Sequence, residues 1–393
     1  MTPTRTSVLM TCGVFEPGFR GGGMVRAVVQ TVDTVPDDID LTMVTSDRDL
    51  GSPHPYPGLS GRWSTRNRSR VFYLDVHEPR QWLRLWRDLR STKFDLLYVN
   101  SLWEPRFSVL PVVAARLGLI RARRILLSPH GELSPGALSL KSRKKRLFLA
   151  GWRPFLRGVD PTWHAVTERE AAEIRAVFPW ARIVVSHYQV PLPDEPLPAP
   201  DTPAGPARLI FLGRISPKKN LDLVLGALGQ VSSPVVFDIY GPLEDPAYWA
   251  RCRELVARLP ANVTARYAGE VAPADVRRTF AGYDAFVFPT LGENFGYVIA
   301  ESLSASCPVL CSAETPWTDV LSDGGGTVLD SLTVAGLAKA LDQLAAATPR
   351  ERLDARSRAA DAYRAWRRRV GDDNLLDRVR HTERPARARV SGP

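Results

Sequence analysis

The stretch TLGENFGYVIAE at 290–301 sets two glutamates, Glu293 and Glu301, eight positions apart around an Asn-Phe-Gly turn that opens an apolar run. Carboxylates can serve a substrate as acid, base or hydrogen-bond acceptor, and the spacing chooses among these. If a helix begins at Asn294 to Gly296, eight residues at a rise of ~1.5 Å each set the two backbones about 12 Å apart. Paired carboxylates that flank one glycosidic bond lie only about 5 to 9.5 Å apart, so a hydrolytic pair is the poorer reading. The spacing suits one extended ligand laid along the helix start. Glu293 would bond hydroxyls at one end and Glu301 hydroxyls at the other, with the amides of Asn294, Phe295, Gly296, Tyr297 and Val298 meeting phosphates between them. The bland alternative makes Glu293 a capping acid and Glu301 a solvated helix residue.

A second constellation is RLIFLGRISPKKNLDLVLGAL at 208–228. A strand ending at Leu212 and Gly213 runs into a basic loop with Arg214, Lys218 and Lys219, and Asn220 can cap the helix that follows. Cations held at a strand's carboxyl end would neutralise a diphosphate as a glycosyl group departs, whereas an exposed basic loop is the plain alternative. A nucleotide sugar has the required shape: sugar, diphosphate, ribose, base. Near the amino terminus, EPGFRGGGMVRAVVQTV places Gly21, Gly22 and Gly23 before a helical segment, where bare backbone can approach a phosphate or simply form a flexible turn. The string is not the GxGxxG of dinucleotide folds. His130, in SPHGE after an apolar run, can face a ligand or cap its own loop.

These residues need rigid elements to place them. Short apolar runs recur along the chain: SVLMTCG, DLTMVT, RVFYLD, FDLLYVN, RRILLSP and TWHAV in the first half, then RLIFLG, VVFDIYG, VTARYAG, DAFVFPT and CPVLCS. With helical patterns between them, they read as strands of parallel sheets buried on both faces. Seven prolines between 191 and 206 forbid a regular element there. The expected architecture is α/β, with two Rossmann-like open parallel-sheet domains facing across a cleft. The divisions are an N-terminal acceptor-binding domain at 1–195, a proline-rich linker at 196–207, a nucleotide-sugar-binding domain at 208–365, and at 366–393 a helix crossing back to the first domain followed by a basic tail.

GRISPKKN, followed by PTLGENFGYVIAESLSASCPVLCSAETPW, resembles the family 4 glycosyltransferases of the GT-B fold with their E-x7-E signature, and SPHGELSPGAL resembles the same family. The likeness is dense from 208 to 330 and sparse before that. It implies a hexosyltransferase-type enzyme, retaining and without metal or other cofactor, in polysaccharide, glycolipid or glycosylated natural-product biosynthesis. It implies that Arg214 and Lys219 grip the donor diphosphate, that Glu301 bonds the ribose, and that Glu293 with the amides of Asn294 to Gly296 holds the donor sugar. His130 matches the family's histidine near the sugar O6 and the reaction centre, and Gly22 and Gly23 its glycine loop at the diphosphate. UDP is the commonest carrier, with GDP and ADP open, and no acceptor is implied. The chain departs from the family at Asn220 and Ser306, where glycine is usual, and at SHYQVPLP, where an Asn-Gly turn is common.

Metal-dependent glycosyltransferases of the other large fold use an Asp-x-Asp pair. DID at 38–40 and DRD at 47–49 match that string but sit in turn-like polar stretches, so no metal site is expected. Cys12, Cys252, Cys307 and Cys311 lack metal-ligand spacing and read as buried thiols. A formal charge of +10 favours anionic partners without choosing among phosphorylated ligands, membrane and nucleic acid. RQWLRLWRDLR at 80–90 sets Trp82, Leu85, Trp86 and Leu89 on one stripe, and KSRKKRLFLAGWRPFLR at 141–157 mixes seven cations with Phe148, Trp152 and Phe155. Both suit peripheral contact with an anionic membrane, and equally a packed apolar stripe with solvated arginines. No apolar run is long enough to span a bilayer and no signal peptide is evident, so the expected place is the cytoplasm or its membrane face. The expected partners are a nucleotide-sugar donor and a small-molecule, oligosaccharide or lipid-linked acceptor, without a choice among these acceptors. The alternatives are a nucleotide-sugar epimerase of the same fold and a basic nucleic-acid-binding protein, though no recognition-helix or RNA-binding motif supports the latter.

Overall fold

The structure, a computed structural model, describes residues 5–139, 142–187, 189–190, 192–200, 204–369 and 374–381. It divides into two compact units, Met1–Gln189 with Asp372–Pro393, and Val190–Gly371.

The first unit holds an eight-stranded sheet. Its strands are β1 (Thr6–Cys12), β2 (Ile39–Ser46), β3 (Trp63–Arg66), β4 (Ser69–Leu74), β5 (Lys93–Asn100), β6 (Arg121–Ser128), β7 (Thr162–Ala165) and β8 (Arg182–Val185). The spatial order is β3-β4-β2-β1-β5-β6-β7-β8, parallel except for the β3–β4 hairpin. Alternation along the strands explains the continuous apolar runs. Leu9, Phe72, Leu97, Leu127 and Trp163 face one buried layer, while Met10, Met43, Val71, Tyr98 and Leu126 face the other. β3 and β8 escape the sequence reading because as edge strands they have few buried side chains and carry no apolar run of ordinary length.

The second unit is a six-stranded, wholly parallel sheet in the order β11-β10-β9-β12-β13-β14. The strands are β9 (Ala207–Leu212), β10 (Val235–Tyr240), β11 (Val263–Gly269), β12 (Ala285–Phe288), β13 (Val309–Ser312) and β14 (Gly326–Leu329). β14 is a further edge strand that apolar pattern alone misses. The proline-rich segment forms no regular element and is pinned to this unit, with the Leu197 amide donating to the Ser304 carbonyl at 2.8 Å.

The carboxyl-terminal residues serve both units. One helix, Pro349–Arg369, runs through position 365 without a break. It buries Tyr363 and Trp366, and Arg356, 2% exposed, donates to the carbonyls of Tyr283 and Ala281. A separate helix, Leu375–His381, puts Leu375, Leu376 and Val379 into the first unit's core. The basic tail lies outside the described residues.

In each sheet one strand has chain-sequential neighbours leading away in opposite directions: β1 between β2 and β5, and β9 between β10 and β12. Open α/β sheets bind ligands beyond the strand carboxyl ends at such reversals. Gly22 and Gly23 follow β1, and Arg214, Lys219 and Glu293 follow β9 and β12, while His130 follows β6, one strand beyond β5.

Candidate active site

β9 ends at Leu212, and the chain passes through Gly213 into the basic turn. Gly241, after the neighbouring β10, has φ 134°, and a Cβ there would lie 1.8 Å from the Gly213 carbonyl oxygen. The two strand ends therefore meet backbone to backbone. Pro217–Lys219 is a single 3-10 turn, and Asn220 follows it with φ 61° and ψ 35°. Asn220 makes no side-chain cap to the helix Leu221–Leu228, contrary to expectation. Its Nδ2 donates instead to the Pro289 carbonyl at 3.1 Å. The left-handed backbone accounts for the departure from the family's glycine, since asparagine is among the few residues that tolerate this region. Ser306, the other departure, also has positive φ, 55°.

The helix after β12 starts later than its sequence suggests, at Tyr297–Ser304 with Gly296 as N-cap (φ 82°). Asn294 and Phe295 precede it, so the 12 Å helical spacing between Glu293 and Glu301 does not hold. A Cβ at Gly296 would lie a tight 3.2 Å from Ile299 Cδ1 and 3.4 Å from Trp317 Nε1, and the positive φ itself favours glycine. Trp317 Nε1 donates to the Phe295 carbonyl at 2.5 Å, and Phe295, Tyr297 and Trp317 pack ring against ring. The aromatics thus anchor the turn, and what they offer a ligand is backbone N–H. No side chain caps this helix and no acid lies in its first turn, an arrangement open to an anion. Glu301 is 5% exposed, which removes the solvated reading.

The two sequence stretches converge on one contact: Lys219 Nζ hydrogen-bonds Glu293 Oε1 in an ion pair shielded from solvent. Thr290 Oγ1 lies 3.2 Å from the same carboxylate oxygen, and Lys219 also sits over the Phe288 ring at 5.2 Å. Burial alone would raise the Glu293 carboxyl, but Lys219, with Lys218 and the Thr290 hydroxyl, outweighs it and holds the group below its ordinary range. Arg214 takes a different partner, donating to Glu244 Oε1 at 2.8 Å from a partly exposed position. Sequence reading missed Glu244. Its signal was position, three residues past the glycine that ends the neighbouring strand.

In the first unit Gly22 (φ 64°) is the N-cap of the helix Gly23–Asp33. The preceding turn is fastened by Asp49, whose carboxylate accepts from the amides of Phe19 and Arg20 at 3.0 and 3.2 Å. DRD follows directly on β2. Its acids are engaged within the fold: Asp47 with Arg48 and Ser60, Asp49 with backbone amides. Among the described residues no three His, Cys, Asp or Glu side chains gather as a metal set. The four cysteines are buried and unbridged, and burial pushes Cys307 up to about 11 and Cys311 to about 12.

His130 lies at the carboxyl end of β6 with φ 51°, its Nε2 2.9 Å from Asn100 Oδ1 at the end of β5. Burial, then nearby His164, lowers its pKa to about 3. Glu170 fastens the loop, its two oxygens accepting from the amides of Gly131 and Val166 at 2.7 Å each. Glu132 accepts from Ser101 Oγ and the Leu102 amide at 2.8 and 2.6 Å, and burial raises its pKa to about 7. Sequence reading singled out none of Asn100, Glu132 and Glu170. Glu170 was legible only as the fourth residue of a T-x-x-E capping box, which predicts a bond to its own helix end rather than to the His130 loop.

The helix Pro79–Leu89 buries Leu85 and Leu89, but Trp86, expected on that stripe, is 44% exposed and Leu83 63%. In Ser142–Val159, Trp152 and Leu156 are buried with Phe148 and Phe155 packed beside them, while Leu147 is 79% exposed. Lys141 lies outside the described residues.

Two open α/β sheets, the second wholly parallel, with polar and charged groups beyond their strand ends define a doubly wound α/β class. Residues 197–361, within the second unit, match the glycosyl transferases group 1 family. The O-antigen chain mannosyltransferase B of Escherichia coli is 30% identical over 122 residues, 30% of this chain and 31% of that protein. The match thus spans about a third of the curated relative's length. The fold is that of GT-B glycosyltransferases. Sucrose-phosphate synthase from Thermosynechococcus elongatus superposes with a TM-score of 0.67 at 16% identity, over 92% of this chain and 94% of that one. Anabaena HepE, in complex with UDP and glucose, gives 0.69 at 14% identity over 96% and 100%.

Proposed function

We propose that this protein is a retaining, metal-independent glycosyltransferase that moves a sugar from a nucleoside diphosphate sugar, with UDP as carrier, to an acceptor hydroxyl. The observation that carries the reading is the Lys219–Glu293 pair at the ends of β9 and β12, beside a helix start without acids or caps. A cation and an anion already matched to each other can exchange partners with a bound sugar nucleotide. Lys219 turns to the diphosphate, and Glu293, released, accepts hydrogen bonds from sugar hydroxyls. Arg214 likewise leaves Glu244 for phosphate, and Glu301 bonds the ribose. His130 and the Gly22–Gly23 turn are assigned to the sugar and the diphosphate on the resemblance alone.

The acceptor oxygen attacks the anomeric carbon on the face the diphosphate leaves. The carbon–oxygen bond to phosphate breaks with its electron pair going to the diphosphate, and a phosphate oxygen takes the acceptor's proton. The chain then needs no nucleophile. Lys219, Arg214 and helix amides stabilise the departing charge, the term that usually dominates such catalysis.

HepE's UDP and UDP-glucose complexes support a UDP carrier, and the O-antigen relative supports an oligosaccharide or lipid-linked acceptor in polysaccharide biosynthesis. Among the described residues no helix is long and apolar enough to cross a membrane. Leu83, Trp86 and Leu147, set among arginines and lysines, fit peripheral contact with an anionic membrane, testable by co-sedimentation with anionic vesicles.

The deciding experiment is a thermal-shift screen of UDP, GDP, ADP and their sugars, in which a ligand at 100 times its Kd stabilises by about 2.7 kcal/mol. Arg214→Ala and Lys219→Ala should each lower kcat by orders of magnitude with chelator present, and near-normal turnover in both defeats the assignment. Sugar-nucleotide conversion without acceptor would show an epimerase. Salt-sensitive nucleic-acid binding that survives loss of Glu301 would show the other alternative.

A further inference from the structure

We propose that the first unit carries an anion-binding site of its own, for a phosphorylated ligand, in a cavity at the amino-terminal ends of β6, β7 and β8.

The cavity exists because these strands start out of step. β6 pairs with β5 from its first residue, Arg121, but its pairing with β7 begins only at Leu126, opposite Thr162. Residues 121–125 therefore overhang the start of β7, while β7 and β8 begin together, Thr162 beside Arg182. The notch so left has a volume of about 270 Å³. Arg123 and Arg124 both line it. Since neighbours on a strand point to opposite faces, the space wraps the edge of β6 rather than one face. The carboxyl ends of the helices Leu110–Arg116 and Ser142–Val159 close it from the sides.

Four arginines, Arg116, Arg123, Arg124 and Arg182, line the cavity against one acid, Asp160. That acid is already engaged, because Arg182 Nη2 donates to its carboxylate and its carbonyl at 3.0 Å each. Arg124 donates to the Val379 carbonyl at 3.1 Å, which sets the terminal helix Leu375–His381 at the rim. Arg116 and Arg123 pair with no acid among the described residues. Each helix end adds roughly half a negative charge, so the surplus in the cavity is about +2. That surplus matches a phosphate monoester or a diphosphate better than a single carboxylate, and the guanidinium fork suits phosphoryl oxygens. Ile125 and Ile183 in the wall leave apolar surface beside the anion for an uncharged body. Arg123 precedes Ser128, the last residue of β6, by about 17 Å of strand. The cavity thus lies at the other end of the sheet from Gly22, Gly23 and His130, and the proposal does not rest on the transferase reading. Soluble metabolites and lipid headgroups both present such phosphoryl groups.

The experiment uses the full chain and two probes, inorganic pyrophosphate and dihexanoyl phosphatidic acid below its micellar concentration. Backbone hydrogen exchange read by mass spectrometry locates binding, and calorimetry measures it. At least one probe should slow exchange at 121–125, 182–185 and 375–381. Protection by pyrophosphate alone supports the site with a soluble ligand, and stronger protection by phosphatidic acid supports it with a lipid headgroup. Arg116→Gln/Arg123→Gln alters two exposed positions, so it should unfold with wild type while weakening that binding about tenfold or more. Arg87→Gln/Arg90→Gln removes the same charge from elsewhere on the surface and should leave the binding within about twofold. Equal weakening in the two double variants would show diffuse attraction to a basic protein and overturns the site. Protection confined to 213–220 and 293–301 overturns it too, as does no protection by either probe at millimolar concentration. Should the first variant fail to fold, the exchange map of wild type decides alone.

Discussion

Replacing Lys219 by Met keeps the length of the side chain and removes the charge that Glu293 faces. Both partners are largely withdrawn from water, with side-chain exposures of 11% and 13%. Breaking such a pair from one side strands a buried charge, at about 3 to 5 kcal/mol. At the lower bound, a unit of this size should lose roughly 6 to 12 °C in Tm. The loss should also depend on pH, with a definite sign. In wild type the Glu293 carboxyl is held below its ordinary 4.5, so its stabilisation is present above that value and disappears as pH falls through the depressed one. In Lys219→Met the burial penalty dominates and raises the carboxyl instead. The penalty should therefore be full at pH 8 and shrink as pH falls and Glu293 takes up a proton. Thermal unfolding of wild type, Lys219→Met, Glu293→Gln and the double variant at pH 8.0 and 5.5 gives both the coupling and its pH dependence. Equal penalties at the two pH values, or strictly additive single losses, would refute the pair as described.

Glu244→Gln should leave Tm within about 4 °C, because a partly exposed ion pair is worth only about 0 to 1 kcal/mol. Freed of its counter-ion, Arg214 should bind a nucleoside diphosphate a few-fold tighter in calorimetry, and weaker binding would contradict the partner exchange. Asn220→Gly should be nearly neutral and Asn220→Val should cost more than about 1 kcal/mol in denaturant unfolding, since a β-branched residue resists the left-handed backbone there. Leu376→Ala should destabilise the first unit by about 2 to 5 kcal/mol, because Leu376 is almost fully buried in that unit's core. A loss confined to the second unit would show that the terminal helix belongs elsewhere.

Most strands were legible because burial on both faces writes an unbroken apolar run into the chain, and their carboxyl ends could be marked by the glycines, basic residues and acids that follow. Arg214, Lys219, Glu293, Glu301 and His130 could accordingly be singled out by type and place. The edge strands β3, β8 and β14 were not, since an edge strand has less to bury and so leaves little apolar signature. The helix start at 297 was placed too early, at Asn294 to Gly296, because the Trp317–Phe295 contact that sets the turn comes from 22 residues away.

By itself the sequence determined the α/β class, the periodicity of the sheets and the chemical inventory at their ends, because these depend on residue type and near neighbours. Partnership was decided only in three dimensions. Lys219 meets Glu293 across 74 positions, Arg214 goes to Glu244 across 30, and Asn100, silent in sequence, meets His130 across 30. Strand order brings these residues together, and strand order is set by packing of the whole sheet rather than by any local pattern.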